Sequence, residues 1–565
     1  MSEVPADRGF RRLVDAEVAA RYREAGWWSD LALSDFVDAN ARRRPAGDAI
    51  VCEGARLSWA AYRDLSEELA GLLIGAGVAP GGRVAVLLPD GPAVHVAYLA
   101  NEKAGVTTVG IGIRAGRREL LHLLGRTHAT TLVGLAEHDG QPSTELVAWL
   151  RQEGVDLQHH IVLPEPRSSD GLSAVTVDGA LPTRQPHEDV ARLIGQRRLG
   201  PDDLFIINST SGTTGMPKCV THTQNRHYYI NEMAKLLADL SGDDIVLSAV
   251  PAPFGFGLWT AHFTPAMLGA STLLMPRFSA SGALELIARE RATVLCCVST
   301  QFIMMLNSPS AKSLDLTSLR VMFTGGEAVP YDQARAFEDL TGACVLQFYG
   351  SNESGVVTGT SLRETPEQRL RTAGRLVPGT ELRLYRDGVD TTAEGHGQPG
   401  SRGPATCMGY LNDPDANAAL FTEDGFVLHA DECTVDHDGF LRVVGRTSDL
   451  IIRGGKNISA AVVEESVLEH PAVALAAAVP VPDPVFGERV GVFVQLTGGA
   501  SVDLPGLRSF LVARGGSEEA LPEYLFVRGE LPRSSGAKIA KGDLRREAQH
   551  LADPDSFVPR RSGTT

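Results

Sequence analysis

The first half of the chain alternates short apolar runs with amphipathic stretches. The run 83–88 is almost continuously apolar, while 62–73 and 94–104 carry apolar residues at helical spacing. Because continuous apolar strands that alternate with helices form parallel sheets covered on both faces, the pattern predicts an α/β fold. Further strands of this kind are predicted at 106–111, 244–251, 292–298, 320–324 and 343–349.

From Pro399 onwards the pattern changes to short strands and glycine-rich turns, as in 438–445. After Arg446 a compact segment of helix and strands follows, with a helix at 461–470. We expect a large N-terminal domain of stacked α/β sheets with a small β-barrel-like subdomain, then a small mobile α+β domain, then a loose tail. The predicted bounds are 1–447, 448–550 and 551–565, and the strands predicted in the small domain are 472–481 and 491–496.

Length and composition are those of a large globular enzyme. The 565 residues, 43% of them hydrophobic and 22% charged, exceed one compact core and indicate two or more domains. A net charge of -16 without a Lys/Arg run lacks the basic surface that nucleic acid requires, so no nucleic-acid partner is expected. The seven cysteines show no metal-ligand spacing and suit free structural thiols in a reducing compartment.

No membrane segment is predicted. The N-terminal stretch 1–26 is charged and lacks the apolar run of a secretory signal. Nowhere do about 18 apolar residues follow one another without interruption. We therefore expect a cytoplasmic protein that does not insert into a membrane.

Hydroxyls, glycines and a lysine crowd the segment 206–218, which reads IINSTSGTTGMPK. A loop of this composition after an apolar strand supplies N–H, O–H and ammonium donors for phosphate oxygens. The loop is not of the Walker type, because Pro217 precedes Lys218 and Cys219 follows it. Turns also favour these residues, so the composition of the loop alone is compatible with a turn that binds no ligand.

The stretch STSGTTGMPK resembles the phosphate-loop signature of the adenylate-forming (ANL) superfamily, which contains acyl- and aryl-CoA synthetases, peptide-synthetase adenylation domains and beetle luciferases. The resemblance covers residues from about 30 to 547. It continues in chain order through Gly325–Ala328, Tyr349–Glu353, His429–Asp431, Gly445–Ile458 and Pro532–Ile539.

The resemblance implies ATP, Mg²⁺ and coenzyme A as cofactors. It assigns catalytic roles to Lys538, Asn352 and Glu353, with Glu353 as the Mg²⁺ ligand. Tyr349 would stack on adenine, and Asp431 would accept hydrogen bonds from the ribose hydroxyls. The ATP-binding residues implied are Thr210, Ser211, Gly212, Thr213, Thr214, Gly215, Lys218, Gly325, Gly326, Glu327, Ala328, Tyr349, Gly350, Ser351, Asp431 and Arg446.

The chemistry implied has two half-reactions. The substrate carboxylate first attacks the α-phosphorus of ATP and expels pyrophosphate, with Lys538 stabilising the charge. A thiolate then attacks the acyl-adenylate. The resemblance implies that the small domain rotates about Ser448 between the two steps, and that Gly454 and Gly455 then line the path of coenzyme A.

The chain departs from the superfamily pattern at several positions. Asn352 stands where threonine is usual, His429-Ala430 replace Thr-Gly, and Ala537 precedes Lys538 where glycine is common. Ser448 is uncharged where aspartate or lysine is frequent. Because an asparagine amide still donates a hydrogen bond to a phosphate oxygen, we expect activity to persist.

The resemblance places the acyl pocket at the segment 253–259. In relatives that activate amino acids an aspartate follows the first aromatic residue, but here Gly255 does, so a substrate ammonium would lack its counter-ion. The segment predicts a hydrophobic and fairly bulky acid. The alternative, that some of these residues are ordinary core residues, applies best to Phe302 and the methionines beside it. The predicted pocket residues are Phe254, Gly255, Phe256, Trp259 and Phe302.

The sequence thus predicts an ATP- and Mg²⁺-dependent acid:CoA ligase whose partner is a small carboxylic acid. Two alternatives stay open. The acyl group is loaded onto the phosphopantetheine thiol of a carrier protein, or the chain is a non-catalytic sensor of nucleotide or acyl-adenylate. Retention of Glu353, Asp431 and Lys538 argues against the sensor. A homodimer is also left open.

Overall fold

Two large sheets, each parallel at its centre, form the greater part of the structure. The computed structural model describes residues 16–164, 172, 174–183, 186–209, 216–326, 329–446, 449–453, 456–483, 485–514, 520–533 and 538–551. The predicted α/β class is confirmed, because apolar strands and helices alternate along the first 370 residues or so of this description.

The first sheet has nine strands and carries most of the later apolar runs. Val294–Cys296 pairs in parallel with Ile245–Ser248 on one side and with Val321–Gly325 on the other. These central strands are buried, as their continuous apolar character predicts. In spatial order the strands are Arg375–Leu376, Gly355–Gly359, Cys344–Ser351, Val321–Gly325, Val294–Cys296, Ile245–Ser248, Ser271–Leu273, Asp48–Cys52 and Ala55–Ser58.

The second sheet has seven strands and ends in an antiparallel hairpin. Its central strand Arg83–Leu87 pairs in parallel with Thr107–Gly110 and Thr131–Gly134. At one edge Leu204–Ser209 pairs antiparallel with Cys219–Thr223, so the segment 210–218 connects a hairpin. In spatial order the strands are Cys219–Thr223, Leu204–Ser209, Thr107–Gly110, Arg83–Leu87, Thr131–Gly134, His159–Val162 and Thr176–Val177.

Two smaller sheets follow where the texture of the sequence changes. A six-stranded antiparallel sheet lies at 381–446, and a five-stranded sheet lies at 450–528. The strands of the former are Glu381–Arg386, Val389–Asp390, His396–Arg402, Val427–Leu428, Asp431–Val435 and Leu441–Arg446. Those of the latter are Leu450–Arg453, Lys456–Ser459, Val473–Asp483, Gly487–Leu496 and Tyr524–Arg528, and Glu137–His138 with Gln141–Pro142 form a separate hairpin.

Helices cover the sheets, and Pro92–Ala104 is buried along its whole length. The α-helices are Ala16–Glu24, Leu33–Arg43, Trp59–Gly75, Pro92–Ala104, Arg117–Thr127, Ser143–Gln152, His187–Arg197, Gln224–Ala238, Gly255–Gly257, Thr264–Leu268, Ala280–Glu290, Ser299–Leu306, Tyr331–Thr341, Pro366–Arg371, Pro414–Leu420, Ala460–Leu468, Leu504–Ala513 and Lys541–Leu551. Leu258–Phe263 is a π-helix, and Pro309–Lys312 and Thr392–Glu394 are 3₁₀-helices. No helix of the described ranges is long and apolar enough to cross a membrane.

Two of the predicted strands are shorter than their apolar runs. The run 244–251 forms a strand only over Ile245–Ser248, and 292–298 only over Val294–Cys296. The residues beyond each strand, such as Val250 and Val298, are still buried. Their apolar character therefore reflects burial of the loops that leave the carboxyl edge of the sheet. An apolar run in the sequence does not distinguish such a buried loop from a strand.

The five-stranded sheet packs on the larger part of the chain through apolar side chains. Phe493 and Leu475 from this sheet belong to one buried cluster with Phe302 and Phe337 from the larger part. Helix Ser299–Leu306 contacts strand Val473–Asp483 directly. The boundary predicted between residues 447 and 448 stays a prediction, because Thr447 and Ser448 lie outside the described residues.

Candidate active site

Several of the predicted site residues lie where the carboxyl ends of the two large sheets meet. Gly325 and Tyr349 come from neighbouring strands of the nine-stranded sheet, paired in parallel. Asn208 comes from the hairpin strand of the seven-stranded sheet. Open α/β sheets bind ligands beyond the carboxyl ends of their strands, so this is where a ligand is expected.

Tyr349 and Asp431 are joined by a hydrogen bond. The Tyr349 Oη donates to Asp431 Oδ2 over 2.9 Å, and the tyrosine is only 8% exposed. Burial, followed by the neighbouring Cys433 and Asp431, raises the pKa of Tyr349 well above its ordinary value, so the phenol stays a donor. In the strand pairing Asp431 lies opposite Arg446, so the backbone brings these two predicted nucleotide residues together.

His429, which stands in place of the usual threonine, packs beside Tyr349. The two ring centroids are 5.4 Å apart at 31°. The His429 Nε2 contacts Ser401 Oγ over 2.8 Å, and the ring is buried. Burial lowers the pKa of His429, which keeps the imidazole neutral beside the carboxylate of Asp431.

Lys538 reaches the wall formed by Gly325 and Gly326. Its Nζ donates to the carbonyl oxygen of Gly326 over 2.7 Å. Gly326 has a φ of +78°, and a Cβ there would lie 2.8 Å from the Lys538 Nζ, so only glycine suits this position without strain. The contact brings a residue of the C-terminal part onto the edge of the nine-stranded sheet.

Glu353 lies in the turn 352–354, directly after strand Cys344–Ser351. The Ser351 Oγ accepts hydrogen bonds from the backbone N–H of Glu353 over 3.2 Å and of Ser354 over 3.1 Å, which holds the turn. Tyr410 Oη donates to Glu353 Oε1 over 2.8 Å. Lys218 Nζ lies 4.8 Å from the centre of the Tyr410 ring, so a lysine, a phenol and a carboxylate gather at the end of the phosphate-loop segment.

Three residues that the sequence analysis did not assign to the site support Asn352. Asn208 and Asn352 pair through their amides, at 2.7 and 3.3 Å, and His222 Nε2 contacts Asn208 Oδ1 over 2.7 Å. Arg226 Nη2 donates to the carbonyl oxygens of Asn352 and Glu353, each over 3.0 Å. The sequence signal for these residues was the row of polar residues THTQNRH at 221–227, shortly after the phosphate-loop segment. The structure shows that all seven are buried.

The acyl segment forms an aromatic surface next to Asn352. The rings of Phe256 and Trp259 stack with centroids 5.5 Å apart, and Trp259 meets Phe348 edge-on at 5.0 Å. A Cβ on Gly255 would lie 2.5 Å from Asn352 Oδ1, which places this glycine against the site. Phe254 is half-buried beside it.

The structure does not bring Phe302 to this aromatic surface. Its ring is fully buried and packs edge-on against Phe337, with the centroids 5.8 Å apart. It belongs to the cluster that faces the C-terminal sheet, whereas Phe256 and Trp259 belong to another cluster. Phe302 therefore contributes packing in this arrangement, and its assignment to the acyl pocket stays a prediction.

Several predicted site residues lie outside the described residues. The backbone near the end of the phosphate-loop segment is anchored, because His122 Nε2 contacts the carbonyl oxygen of Pro217 over 2.9 Å. Gly350 and Ser351 lie in the strand and turn that carry Glu353. The residues outside the description are Thr210, Ser211, Gly212, Thr213, Thr214, Gly215, Glu327, Ala328, Ser448, Gly454 and Gly455.

Comparison with known proteins identifies the family of this chain. The family model described as "AMP-binding enzyme" matches residues 37–411, and the model of its C-terminal domain matches residues 462–538. A salicyl-AMP ligase / salicyl-S-ArCP synthetase of Mycobacterium tuberculosis is 31% identical, over 94% of this chain and 93% of its own. A 2-hydroxy-7-methoxy-5-methyl-1-naphthoate–CoA ligase of Streptomyces carzinostaticus is 31% identical, over 97% and 99% of the two chains.

A solved structure shares the fold. The crystal structure of an anthranilate CoA ligase in complex with anthranoyl-AMP superposes with a TM-score of 0.80 over 93% of this chain and 98% of that chain, at 22% identity. The predicted combination of a large N-terminal domain of stacked sheets and a small C-terminal domain is thereby confirmed as a known arrangement.

The hydrogen bond between Tyr349 and Asp431 yields a test of the nucleotide site. Tyr349→Phe keeps the ring but removes the donor that orients the carboxylate, and hydrogen bonds to charged groups contribute about 1.5–3 kcal/mol. We expect AMP to bind roughly tenfold more weakly or worse in calorimetric titration. Tyr62→Phe is the control, because its buried hydroxyl bonds to the carbonyl of His95 away from this site. Equal affinities of Tyr349→Phe and the unsubstituted protein would contradict the assignment.

Proposed function

Because this chain belongs to the family of AMP-binding enzymes, we propose that it activates a hydrophobic carboxylic acid with ATP and then transfers the acyl group to the thiol of coenzyme A. The observation that carries the proposal is the hydrogen bond from Lys538 Nζ to the Gly326 carbonyl. It supports a pose in which the C-terminal lysine faces the nucleotide wall, as the adenylation step requires.

In the first half-reaction a carboxylate oxygen of the acid bonds to the α-phosphorus of ATP, and the bond to pyrophosphate breaks. No protein nucleophile is needed, so the enzyme contributes position and charge. Lys538 supplies an ammonium where negative charge builds up on the α-phosphate and on the acid. Lys218, exposed at the end of the phosphate-loop segment, would bind the leaving phosphates.

The residues around Glu353 fit a magnesium ion bound with the triphosphate. A half-buried carboxylate, oriented by the Tyr410 hydroxyl, is a hard oxygen ligand of the kind that Mg²⁺ prefers. Among the described residues there is no group of three His, Cys, Asp or Glu side chains placed to hold a metal ion. Phosphate oxygens and water are further ligands that Mg²⁺ uses in nucleotide sites. The ion would supply charge neutralisation on the phosphates.

Asp431 and Tyr349 would hold the nucleoside. Because Tyr349 donates to one carboxylate oxygen of Asp431, the carboxylate is oriented before the ribose hydroxyls arrive. The flat face of Tyr349 would stack on the adenine. Orientation in advance reduces the entropy lost on binding.

The second half-reaction requires a different pose. The thiolate of coenzyme A would attack the acyl carbonyl, and AMP would leave. We infer from the sequence motif that rotation about Ser448 withdraws Lys538 and brings Gly454 and Gly455 to the thiol path. The hydrogen bond from Lys538 to Gly326 is exposed to solvent, and a bond of this kind is weak enough to break in each turnover.

An aromatic acid is the best match to the acyl segment. Phe256 and Trp259 present stacked rings, and aromatic pairs contribute about 0.5–1.5 kcal/mol beyond their buried area. Gly255 leaves no carboxylate for a substrate ammonium, which disfavours free amino acids. The names of two relatives, which mention salicyl and naphthoate groups, support the same class.

The experiment that tests the function is a pyrophosphate-release assay with ATP and Mg²⁺. We expect release with aryl acids, less with fatty and alicyclic acids, and none with free amino acids. Adding coenzyme A should then yield acyl-CoA. Transfer to a holo-carrier protein with little acyl-CoA would favour the carrier-loading alternative, which one relative exemplifies. Absence of acid-dependent release with every acid would leave only a nucleotide or acyl-adenylate sensor.

Lys538→Ala should separate the two half-reactions. Loss of an ammonium that stabilises developing charge costs on the order of 10²–10³ in rate, so acid-dependent ATP–pyrophosphate exchange should fall by that factor. Thioester formation from supplied acyl-adenylate should change far less, because the lysine has left by then. Lys235→Ala is the control, since this lysine pairs with Glu232 on a helix surface. Equal losses in both half-reactions would refute the role.

Gly255 yields a prediction about the acid pocket. Gly255→Ala places a Cβ 2.5 Å from Asn352 Oδ1 and should lower pyrophosphate release about tenfold for acids of every size, because the amide must move. Gly255→Phe should in addition exclude bulky acids before small ones. Gly116→Ala, where nothing lies within 4 Å of the added carbon, is the matched control. Unchanged size preference in Gly255→Phe would show that the segment does not line the pocket.

A further inference from the structure

We propose that Arg226, His222 and Asn208 form a chain of hydrogen bonds with one fixed direction, and that this chain orients the side-chain amide of Asn352 toward the nucleotide. Arg226 and His222 are then positioning residues for the adenylation step. The inference rests on the proposed function, and it concerns residues to which no nucleotide or acid contact is assigned above.

The direction of the chain follows from the chemistry of arginine. A guanidinium only donates hydrogen bonds, so the contact between Arg226 Nη1 and His222 Nδ1 requires Nδ1 to accept. An imidazole that accepts at Nδ1 is neutral and carries its proton on Nε2. His222 therefore donates from Nε2 to Asn208 Oδ1, over 2.7 Å.

This donation fixes both amides. With Asn208 Oδ1 facing His222, the Asn208 Nδ2 faces Asn352 and donates to its Oδ1 over 3.3 Å. Asn352 Nδ2 in turn donates to Asn208 Oδ1 over 2.7 Å. A flip of either amide would place two N–H groups or two oxygens against each other, which the buried pair would not tolerate. One hydrogen of Asn352 Nδ2 is left for a phosphate or carboxylate oxygen.

Arg226 also holds the backbone of the turn that carries Asn352 and Glu353. Its Nη2 donates to both carbonyl oxygens, each over 3.0 Å, and its Nε donates to the Ala405 carbonyl over 2.6 Å. The arginine is only 2% exposed, and these contacts are with carbonyl oxygens. Burying a guanidinium is costly unless its N–H groups are paired. Here Nη2 is paired with the turn, while Nε and Nη1 donate to Ala405 and to the segment that carries His222, so the arginine ties the turn to its neighbours.

The surroundings of His222 keep its ring in place and neutral. His227 stacks on it with the ring centroids 5.5 Å apart, and Phe263 covers His227 at 4.2 Å. Burial and the adjacent Arg226 lower the pKa of His222 well below its ordinary value. The imidazole therefore remains the neutral Nε2–H form through the ordinary pH range, in agreement with the direction of the hydrogen bonds.

Asparagine at position 352 explains why such a chain is needed here. A threonine hydroxyl, usual at this position in the superfamily, rotates to suit its partner, whereas an amide has a donor end and an acceptor end that must be set. The larger side chain also needs room. Gly255 supplies it, because a Cβ there would lie 2.5 Å from Asn352 Oδ1. Gly255, Asn352, Asn208, His222 and Arg226 thus form one matched set.

The first test is a double-mutant cycle on the full-length protein. His222→Met removes both hydrogen bonds at similar size, while His222→Gln keeps an acceptor and a donor. We expect His222→Met to lower the kcat of ATP–pyrophosphate exchange on the order of 10–100-fold with the KM for ATP changed less than about threefold, since a misdirected donor no longer meets the developing charge. His222→Gln should recover most of that loss.

The cycle is completed in the Asn352→Thr background. Because a hydroxyl orients itself, adding His222→Met there should cost less than about threefold, so the two losses are coupled and not additive. Additive losses, or equal defects in His222→Gln and His222→Met, would assign His222 to plain packing and overturn the proposal. Thermal unfolding of each variant shows whether a loss of stability accompanies the change in rate.

A second measurement does not depend on activity. Long-range ¹H–¹⁵N spectra of the ¹⁵N-histidine-labelled protein, with His222 assigned by its absence in His222→Gln, report which ring nitrogen carries the proton. We expect the neutral Nε2–H form. An Nδ1–H form or an imidazolium at neutral pH would overturn the chain of hydrogen bonds. If no acid supports exchange, the proposed function fails, while this spectrum still decides the direction of the hydrogen bonds.

Discussion

The amide pair between Asn208 and Asn352 is the contact on which the site depends, because it joins two sheets that share no strand. Asn208 leads into the phosphate-loop segment, and Asn352 precedes the carboxylate of Glu353. A shift of one sheet against the other would separate the predicted phosphate donors from the carboxylate predicted to bind Mg²⁺, and errors of about 1 Å in such sites lower rates strongly. Directed hydrogen bonds resist that shift better than apolar packing, which has no preferred direction.

The contacts of the C-terminal part have the opposite character. Lys538 donates to a backbone carbonyl of the nine-stranded sheet, and an intramolecular hydrogen bond contributes only about 0.5–1.5 kcal/mol net. The larger contact, between helix Ser299–Leu306 and strand Val473–Asp483, is mainly apolar. Apolar surfaces pack in more than one orientation at similar cost. The molecule thus combines a rigid N-terminal site with a C-terminal part whose contacts permit a change of pose.

Sequence reasoning located the residues whose motifs are local in the chain. Tyr349 and Asp431 are joined by a hydrogen bond, and Tyr349 lies in a strand that the apolar pattern predicts. Glu353 follows the end of the same strand. Arg226 and His222 were missed, since polar residues in a row usually indicate a solvated surface and their burial depends on the tertiary packing of helix Gln224–Ala238. Phe302 was placed in the acyl pocket on apolar character alone, which does not distinguish a pocket wall from the core in which its ring lies.

The same geometry bears on how the acid is selected. In the proposed reaction the carboxylate end of the acid lies near Asn352, where Gly255 and the amide pair leave little room, so discrimination would fall to the aromatic surface of Phe256 and Trp259. Trp259 also packs against Phe348, the residue next to Tyr349 in the strand. A substitution that enlarges the acid pocket at Trp259 would therefore disturb the strand that carries the predicted adenine-stacking ring. Under the proposed function, selectivity for the acid and affinity for the nucleotide would be coupled through that strand. Phe256 is the position where a change would disturb it least, because its ring contact among the described residues is with Trp259 alone.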